Sequence, residues 1–148
     1  MARLIVEIDS SQVLATLDGI RARASNLGPT MEGVSQDLAE GLDENIDSIT
    51  EPALSPAYAK RKAKTHPGKG FLRSSDALYE SMKPGSSDVE AWAGPVGIVY
   101  ARAQDQGDPE GNLPSRQYVY ITQARADRIF ETIASAVLGP LRDVARSA

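Results

Sequence analysis

The stretch Leu54-Ser55-Pro56-Ala57-Tyr58-Ala59-Lys60-Arg61-Lys62 opens the part of the chain, residues 55–107, around which the fold is organised. Ser55 is a good helix N-cap, because its hydroxyl can accept a hydrogen bond from a free backbone N–H, and Pro56 suits the first helical position. We therefore predict a short helix over residues 56–63, followed by a loop at residues 65–70 that is rich in Gly, Pro and Lys. We call residues 55–70, a basic extended arm that includes this short helix, the basic arm.

Two amphipathic helices are predicted before the basic arm. Apolar residues recur at three- and four-residue spacing, so each helix carries one apolar stripe. The stripes are Val13, Leu14, Leu17, Ile20 and Ala24 in the first helix, and Met31, Val34, Leu38, Leu42 and Ile46 in the second. A β-branched run at residues 4–9 predicts a short strand ahead of them. The second helix, residues 30–49, has an acidic opposite face, which is either solvated or faces a basic neighbour.

The remaining elements follow the basic arm. Residues 71–82 predict a short helix, with Ser74 or Ser75 as its cap. Residues 89–93 and 98–101 predict an antiparallel hairpin, with Trp92 as an anchor in the core or on the sheet face, and residues 116–121 predict a third strand. A helix is expected over residues 122–137, and Gly139-Pro140 interrupts it. This order predicts an α+β fold in one domain, residues 1–148: two N-terminal helices, a small antiparallel sheet with a β-hairpin, and a C-terminal helix.

Charge is distributed unevenly along the 148 residues. Residues 1–54 carry ten acidic and three basic side chains, whereas residues 55–75 carry six basic and no acidic ones, and the whole chain has a net charge of −4. Opposite charges in separate regions would let copies of the chain bind head to tail. A solvated charged loop is the simpler interpretation of the basic arm, and both interpretations stay open at this point.

The composition argues against catalysis. The chain has no cysteine, which removes disulfides, thiolate metal sites and a cysteine nucleophile. It contains no G-x-x-x-x-G-K-[ST] loop, no G-x-G-x-x-G and no G-x-S-x-G elbow, and its single histidine, His66, has no Cys, Asp or Glu at ligand spacing. We expect no enzymatic activity, catalytic residue, cofactor or metal. The apolar runs are too short to predict a signal peptide or a membrane span.

Nucleic-acid binding is an alternative, because lysine and arginine side chains beside Tyr58 could follow a phosphate backbone. The negative net charge and the lack of an aromatic cluster near the bases disfavour it. A basic patch on an acidic protein is more typical of a protein-contact surface.

Four stretches resemble motifs of the phage virion morphogenesis family, the Mu-like and P2-like tail-completion proteins. The first is residues 54–62, quoted above. The second, Phe71-Leu72-Arg73-Ser74-Ser75-Asp76-Ala77-Leu78-Tyr79-Glu80-Ser81-Met82, fits L-x-x-[ST]-G-x-L-x-x-S, with Asp76 or Ser75 near the usual glycine. The third, Tyr100-Ala101-Arg102-Ala103-Gln104-Asp105-Gln106-Gly107, fits Y-A-x-x-H-Q-x-G, with Gln104 for the usual histidine. The fourth, Leu113-Pro114-Ser115-Arg116-Gln117-Tyr118-Val119, fits [IL]-P-x-R-x-[FY]-[LV].

The stretches occur in the family's order, although Ala53 stands where the family often has tryptophan. With Ile8-Asp9, the Leu-rich helix after it and the C-terminal helix, which also fit, the resemblance covers nearly the whole chain. The resemblance implies a structural protein of the head–tail junction, a tail-completion or neck-connector protein. It would form a homo-oligomeric ring, expected to be a hexamer, that lets DNA pass and contacts neighbouring connector and tail proteins. It would reside in the virion, after assembly in the host cytoplasm.

A tail-terminator or stopper ring of the same junction is the first alternative, and a DNA-binding regulator is the second. Arg116 is expected to be a buried or interfacial hydrogen-bonding anchor. The candidate interface residues are Lys60, Arg61, Lys62, Lys64, Lys69, Arg73, Tyr100 and Arg116.

Overall fold

The structure is a computed structural model that describes residues 10–146, with side chains up to Gly139. Its helices are α1 (Ser11–Ala24), α2 (Gly28–Ser48), α3 (Pro56–Thr65), α4 (Ala77–Glu80), α5 (Ala101–Gln106) and α6 (Gln123–Arg146), and its strands are β1 (Met82–Ser86) and β2 (Ala91–Pro95). Six helices and one two-stranded antiparallel sheet in the described residues confirm the predicted α+β class. The strand predicted at residues 4–9 lies outside the described residues.

Helix α2 supplies one wall of the core, and the sheet packs against it. The predicted stripe is confirmed, because Met31, Val34, Leu42 and Ile46 are buried and Leu38 is half-buried. The core cluster consists of Leu42, Ile46, Leu78, Met82, Ala101 and Tyr118. Full burial of one large apolar side chain stabilises a fold by about 1.5–3 kcal/mol, so α2 and the elements around it hold each other in place.

The hairpin lies earlier in the chain than predicted. Strands β1 and β2 pair in a register that runs from Met82↔Pro95 to Ser86↔Ala91, whereas residues 98–101 turn into α5. The Pro and Gly of residues 83–87 predict the end of the preceding helix, but residues 83–86 lie in β1. Glycine is required at position 85 of this strand, because a Cβ there would collide with the indole of Trp92 on the paired strand. Trp92 is therefore a sheet-face residue, about half exposed.

The prediction of a third strand at residues 116–121 is wrong. This segment has no regular secondary structure and pairs with no strand in the described part of the chain. Side chains satisfy its backbone instead: Asn45 Nδ2 donates to the carbonyls of Tyr118 and Tyr120 at 2.8 and 2.9 Å. Asp105 Oδ1 accepts from the amides of Tyr118 and Val119, both at 2.9 Å. Side-chain bonds from α2 and α5 thus replace a sheet ladder.

Two helix boundaries also differ from the predictions. Helix α4 is one turn long rather than spanning residues 71–82, because its N-cap Asp76 is left-handed (φ 60°) and Met82 already belongs to β1. The interruption expected at Gly139-Pro140 is absent from the described backbone, and α6 continues to Arg146. A proline inside a helix removes one backbone hydrogen bond, and here the helix continues across it.

Helix α1 contacts the C-terminal half of α6 and leaves its apolar stripe outside the core. Arg23 Nε donates to the Val137 carbonyl at 2.9 Å, which joins the two helices. Val13, Leu14 and Leu17 are each more than half exposed. The stripe has the predicted spacing, but the described residues do not cover it.

The acidic face of α2 meets a basic neighbour in the same chain. Arg125 of α6 is 6% exposed, and its guanidinium pairs with the carboxylates of Asp37 and Glu44. It also donates to the Asp37 carbonyl. A Cβ on Gly41 would come within 2.6 Å of Arg125 Nε, so glycine lets α6 approach α2 closely.

We expect Asn45→Ala to destabilise the protein by about 2–3 kcal/mol, because the carbonyls of Tyr118 and Tyr120 lose their donor. The measurement is chemical denaturation. Gln36→Ala, an exposed change on the same helix, is the control and should stay within about 0.5 kcal/mol of the wild type. Equal stability of the two variants would show that the segment does not depend on Asn45.

Candidate functional site

Helix α3 forms as predicted and extends two residues further, to Thr65. The Ser55 hydroxyl accepts from the Tyr58 amide at 3.4 Å, and Pro56 occupies the first turn. His66 follows the helix, where its Nδ1 lies 2.8 Å from Thr65 Oγ1. The basic arm is therefore largely helical rather than extended.

Three of the predicted interface cations, Lys60, Arg61 and Lys64, lie exposed on α3. The Arg61 guanidinium stacks over the Tyr58 ring with its central carbon 5.0 Å from the ring centroid. Within residues 10–139, no acidic side chain forms an ion pair with any of the three. They form the exposed basic surface of α3.

Lys62 does not belong to that surface, which corrects the sequence-based assignment. It is 5% exposed, and its ammonium donates to the carbonyls of Phe71 and Arg73 at 3.0 and 3.3 Å. Burial lowers its pKa. Lys62 thus fastens the segment after the loop to α3 instead of meeting a partner. The sequence contained one indication of this burial. Lys62 lies four residues after the half-buried Tyr58, and residues with this spacing share a helix face.

Lys69 and Arg73 are neutralised within the chain. Lys69 pairs with Asp76, and Arg73 binds Asp76 Oδ1 at 2.9 Å and Asp47 Oδ1 at 3.0 Å. The Arg73 guanidinium also lies over the Tyr79 ring, 4.0 Å from its centroid. Hydrogen bonds from Lys69 and then Arg73 lower the pKa of Asp76. These two cations therefore order the loop before α4.

Arg116 is a buried hydrogen-bonding anchor, as expected. It is 6% exposed, and its Nη2 and Nε donate to the Pro52 carbonyl at 3.0 and 3.2 Å. Tyr100, the last predicted interface residue, is 44% exposed at the N-terminus of α5. Arg116 ties the segment after Leu113 to the segment before α3.

A cleft of about 640 Å³ lies between α3, the segment before α4, α5 and the segment after Asn112. Its lining comes from residues 53–58, 71–78, 100–104 and 112–116. Leu54, Phe71 and Leu72 contribute apolar surface, and Ser74 and Ser75 contribute hydroxyls. We call this space the cleft. Nothing in the periodicity of the sequence predicts it, because it forms only when four distant segments meet.

A second, smaller groove of about 340 Å³ runs between Trp92 of β2 and residues 119–121. Val119, Tyr120 and Ile121 are each 42–55% exposed beside it. Residues 119–121 and the stripe of α1 are thus two apolar surfaces that are exposed in the described part of the chain.

The acidic face of α2 offers no metal site. Burial, followed by repulsion from Asp47, raises the pKa of Asp43, while Arg73 opposes that rise. Asp43 Oδ1 is the one buried side-chain polar atom in the described part that lacks a hydrogen-bond partner. Among residues 10–139, no group of three or more His, Asp or Glu side chains is placed to hold a metal ion.

Comparison of the chain with protein families, curated proteins and solved structures gives no match in any of the three. No helix within residues 10–146 combines the length and the apolar composition that a membrane crossing requires.

We expect Lys62→Met to destabilise the protein by about 1–3 kcal/mol, because methionine keeps most of the apolar stem but cannot donate to the two carbonyls. Lys64→Met, on the exposed side of α3, is the matched control and should be nearly neutral. Denaturant titration of both variants tests this. If Lys62→Met leaves the stability unchanged, the two hydrogen bonds of Lys62 do not hold the fold together, and Lys62 returns to the candidate interface residues.

The Asp76 carboxylate should make stability depend on pH. Because its pKa is lowered by folding, the folded state binds fewer protons, so its contribution is full above the ordinary value of 3.8 and is lost as the pH falls below it. We expect Asp76→Asn to have a lower Tm than the wild type at pH 7, and the difference to shrink below about pH 4.

Thermal melts across this range measure the effect, with Glu110→Gln as an exposed control. A difference in Tm for Asp76→Asn that stays constant down to pH 2 would contradict the role of the ion pairs.

Proposed function

We propose that this chain is a non-enzymatic structural protein of a phage head–tail junction, a tail-completion or neck-connector protein. In this proposal it forms a homo-oligomeric ring around the DNA channel and joins the tail to the head. The observation that carries the proposal is the cleft, because all four stretches that resemble the virion morphogenesis family contribute to its lining.

The convergence is informative because the stretches are far apart in the chain. Residues 54–58 and 113–116 are separated by more than fifty residues, yet they line the same space together with residues 71–78 and 100–104. Short matches that arose by chance would have no reason to meet in one place. A shared functional surface is the simpler explanation.

The position of the usual glycine supports the same proposal. The second motif places a glycine at Ser75 or Asp76, and Asp76 has a φ of 60°. This left-handed conformation is adopted most easily by glycine, and Asp tolerates it better than most other residues do. The local backbone thus has the shape that a glycine motif would encode.

The exposed surfaces favour assembly. The basic surface of α3 lacks acidic partners in the described part of the chain, and apolar side chains of α1 and of residues 119–121 are open to solvent. A ring requires two different surfaces that complement each other on adjacent copies. A tail-terminator or stopper ring would need the same kind of surfaces, and it remains the alternative within this class.

The DNA-binding regulator is less well supported. Of the six bases in residues 55–75, Lys62 is buried, and Lys69 and Arg73 are paired with acids. Since each phosphate contact adds close to one unit to the salt dependence of binding, three free cations would give only weak affinity for duplex DNA.

The test is native mass spectrometry with negative-stain imaging, of the chain alone and with purified tails. We expect a ring, or decoration of one tail end. The combined change Lys60→Glu, Arg61→Glu and Lys64→Glu should weaken assembly or tail binding at least about tenfold while Tm stays close to that of the wild type.

The control reverses three exposed bases elsewhere, Arg21, Lys83 and Arg102, and so produces the same net charge. Normal tail joining by the variant with Lys60, Arg61 and Lys64 changed to Glu would show that the basic surface of α3 has no role in assembly. A wild type that stays monomeric and ignores tails would reject the junction role, and salt-sensitive binding to duplex DNA would favour the regulator.

A further inference from the structure

The turn of the hairpin presents an apolar side chain between two carboxylates. Residues 87–90 connect β1 to β2, and Val89, at the turn, is 66% exposed. Asp88 precedes it, Glu90 follows it, and both are exposed. We call residues 87–90 the hairpin tip.

Hydrogen bonds hold the hairpin tip in one conformation. The Ser87 amide donates to the Glu90 carbonyl at 2.8 Å, and the Ser87 hydroxyl accepts from the amides of Val89 and Glu90 at 3.4 and 3.1 Å. The Leu27 amide donates to the Asp88 carbonyl at 3.2 Å, which fastens the tip to the start of α2. A tip ordered in advance loses little conformational entropy when it binds.

The cleft has the complementary chemistry. Its floor is apolar, with Leu54, Phe71 and Leu78, and one wall is α3. Tyr58 lines that wall, and Arg61 stacks over Tyr58. Arg116 also lines the cleft, but it is buried and its guanidinium is bound to the Pro52 carbonyl. The exposed positive charge therefore lies on the α3 side, and a ligand that suits the cleft has an apolar group flanked by negative charge.

The tip and the cleft lie at opposite ends of α2. The tip is bonded to Leu27, which caps the N-terminus of the helix, whereas Arg73, beside the cleft, pairs with Asp47 in its last turn. A helix of this length measures about 30 Å. A copy of the chain therefore cannot fill its own cleft with its own tip.

We propose that the hairpin tip of one copy occupies the cleft of the next copy. Val89 contacts the apolar floor, and Asp88 and Glu90 face Arg61 and its neighbours on α3. Each copy has one hairpin tip and one cleft. Because these two surfaces differ, the contact repeats head to tail from copy to copy until a ring closes. The inference rests on the proposed function and deepens it by naming the surfaces that join the subunits.

The experiment uses introduced cysteines, because the chain has none of its own. Val89→Cys is mixed, under mild oxidation, with a size-tagged variant that carries one cysteine in the lining of the cleft: Ser55→Cys, Ser75→Cys or Asn112→Cys. A disulfide requires Cα atoms about 4.4–6.8 Å apart, so it forms only where the two sites meet. Val96→Cys is the matched control, because Val96 is 64% exposed and lies outside the tip.

We expect Val89→Cys to give the mixed disulfide with at least one cleft variant, and Val96→Cys to give none. A chain with both cysteines should give a ladder of covalent oligomers. The inference is overturned if Val96→Cys links equally well, if Val89→Cys links to none of the three, or if the wild type stays monomeric at every concentration.

A second pair of variants needs no cysteine. Val89→Asp should weaken self-association at least about tenfold, because it places a carboxylate in the apolar floor, whereas Val96→Asp should change it less than about twofold. Equal effects would overturn the inference. Rings on tails that form without the mixed disulfide would support the proposed function and reject the contact between the hairpin tip and the cleft. Disulfide-linked open filaments that do not bind tails would support this contact and reject the proposed function.

Discussion

An irregular segment without a sheet partner is the constraint on which much of this structure depends. It consists of residues 116–121, and its Tyr118 is completely buried in the core. A buried backbone group without a hydrogen bond is costly, and neither strand of the described residues pairs with this segment. Asn45 and Asp105 supply four bonds instead, two to carbonyls and two to amides. Burial also raises the pKa of Tyr118 to about 12, so its hydroxyl remains a donor to the Ala101 carbonyl.

The same solution recurs around the candidate site. Two buried cations there hold backbone carbonyls, Lys62 those of Phe71 and Arg73 and Arg116 that of Pro52, and Arg125, away from the cleft, holds that of Asp37. Each bond joins segments that are distant in the chain or separated by a loop. The walls of the cleft are therefore held by charge-assisted hydrogen bonds more than by secondary structure. A site built in this way keeps its shape although two of its four walls are irregular.

Periodicity was sufficient for α1, α2, α3 and most of α6, because one apolar stripe or one cap identifies each of them. It was insufficient for the sheet, since Pro84 and Gly85 are typical of a break and only the opposing indole of Trp92 explains the glycine. It was also insufficient for residues 116–121, whose alternation resembles a strand but whose partners are side chains. The candidate surface was partly predictable, because the composition identified its basic residues. Which of them are exposed, paired or buried depends on tertiary contacts, such as those of Arg73 with Asp47 and of Lys62 with Phe71.

The contact between Gly41 and Arg125 has an evolutionary consequence. The guanidinium occupies the space that any larger residue at position 41 would need, so the two positions are constrained jointly. Relatives that keep the arginine should keep the glycine, whereas relatives with a short apolar residue at position 125 are free to place alanine or leucine at position 41. They should then also lose selection for the carboxylate of Glu44, whereas Asp37 keeps Arg128 as a partner. Covariation among positions 41, 44 and 125 would therefore mark relatives in which α6 crosses α2 as it does here.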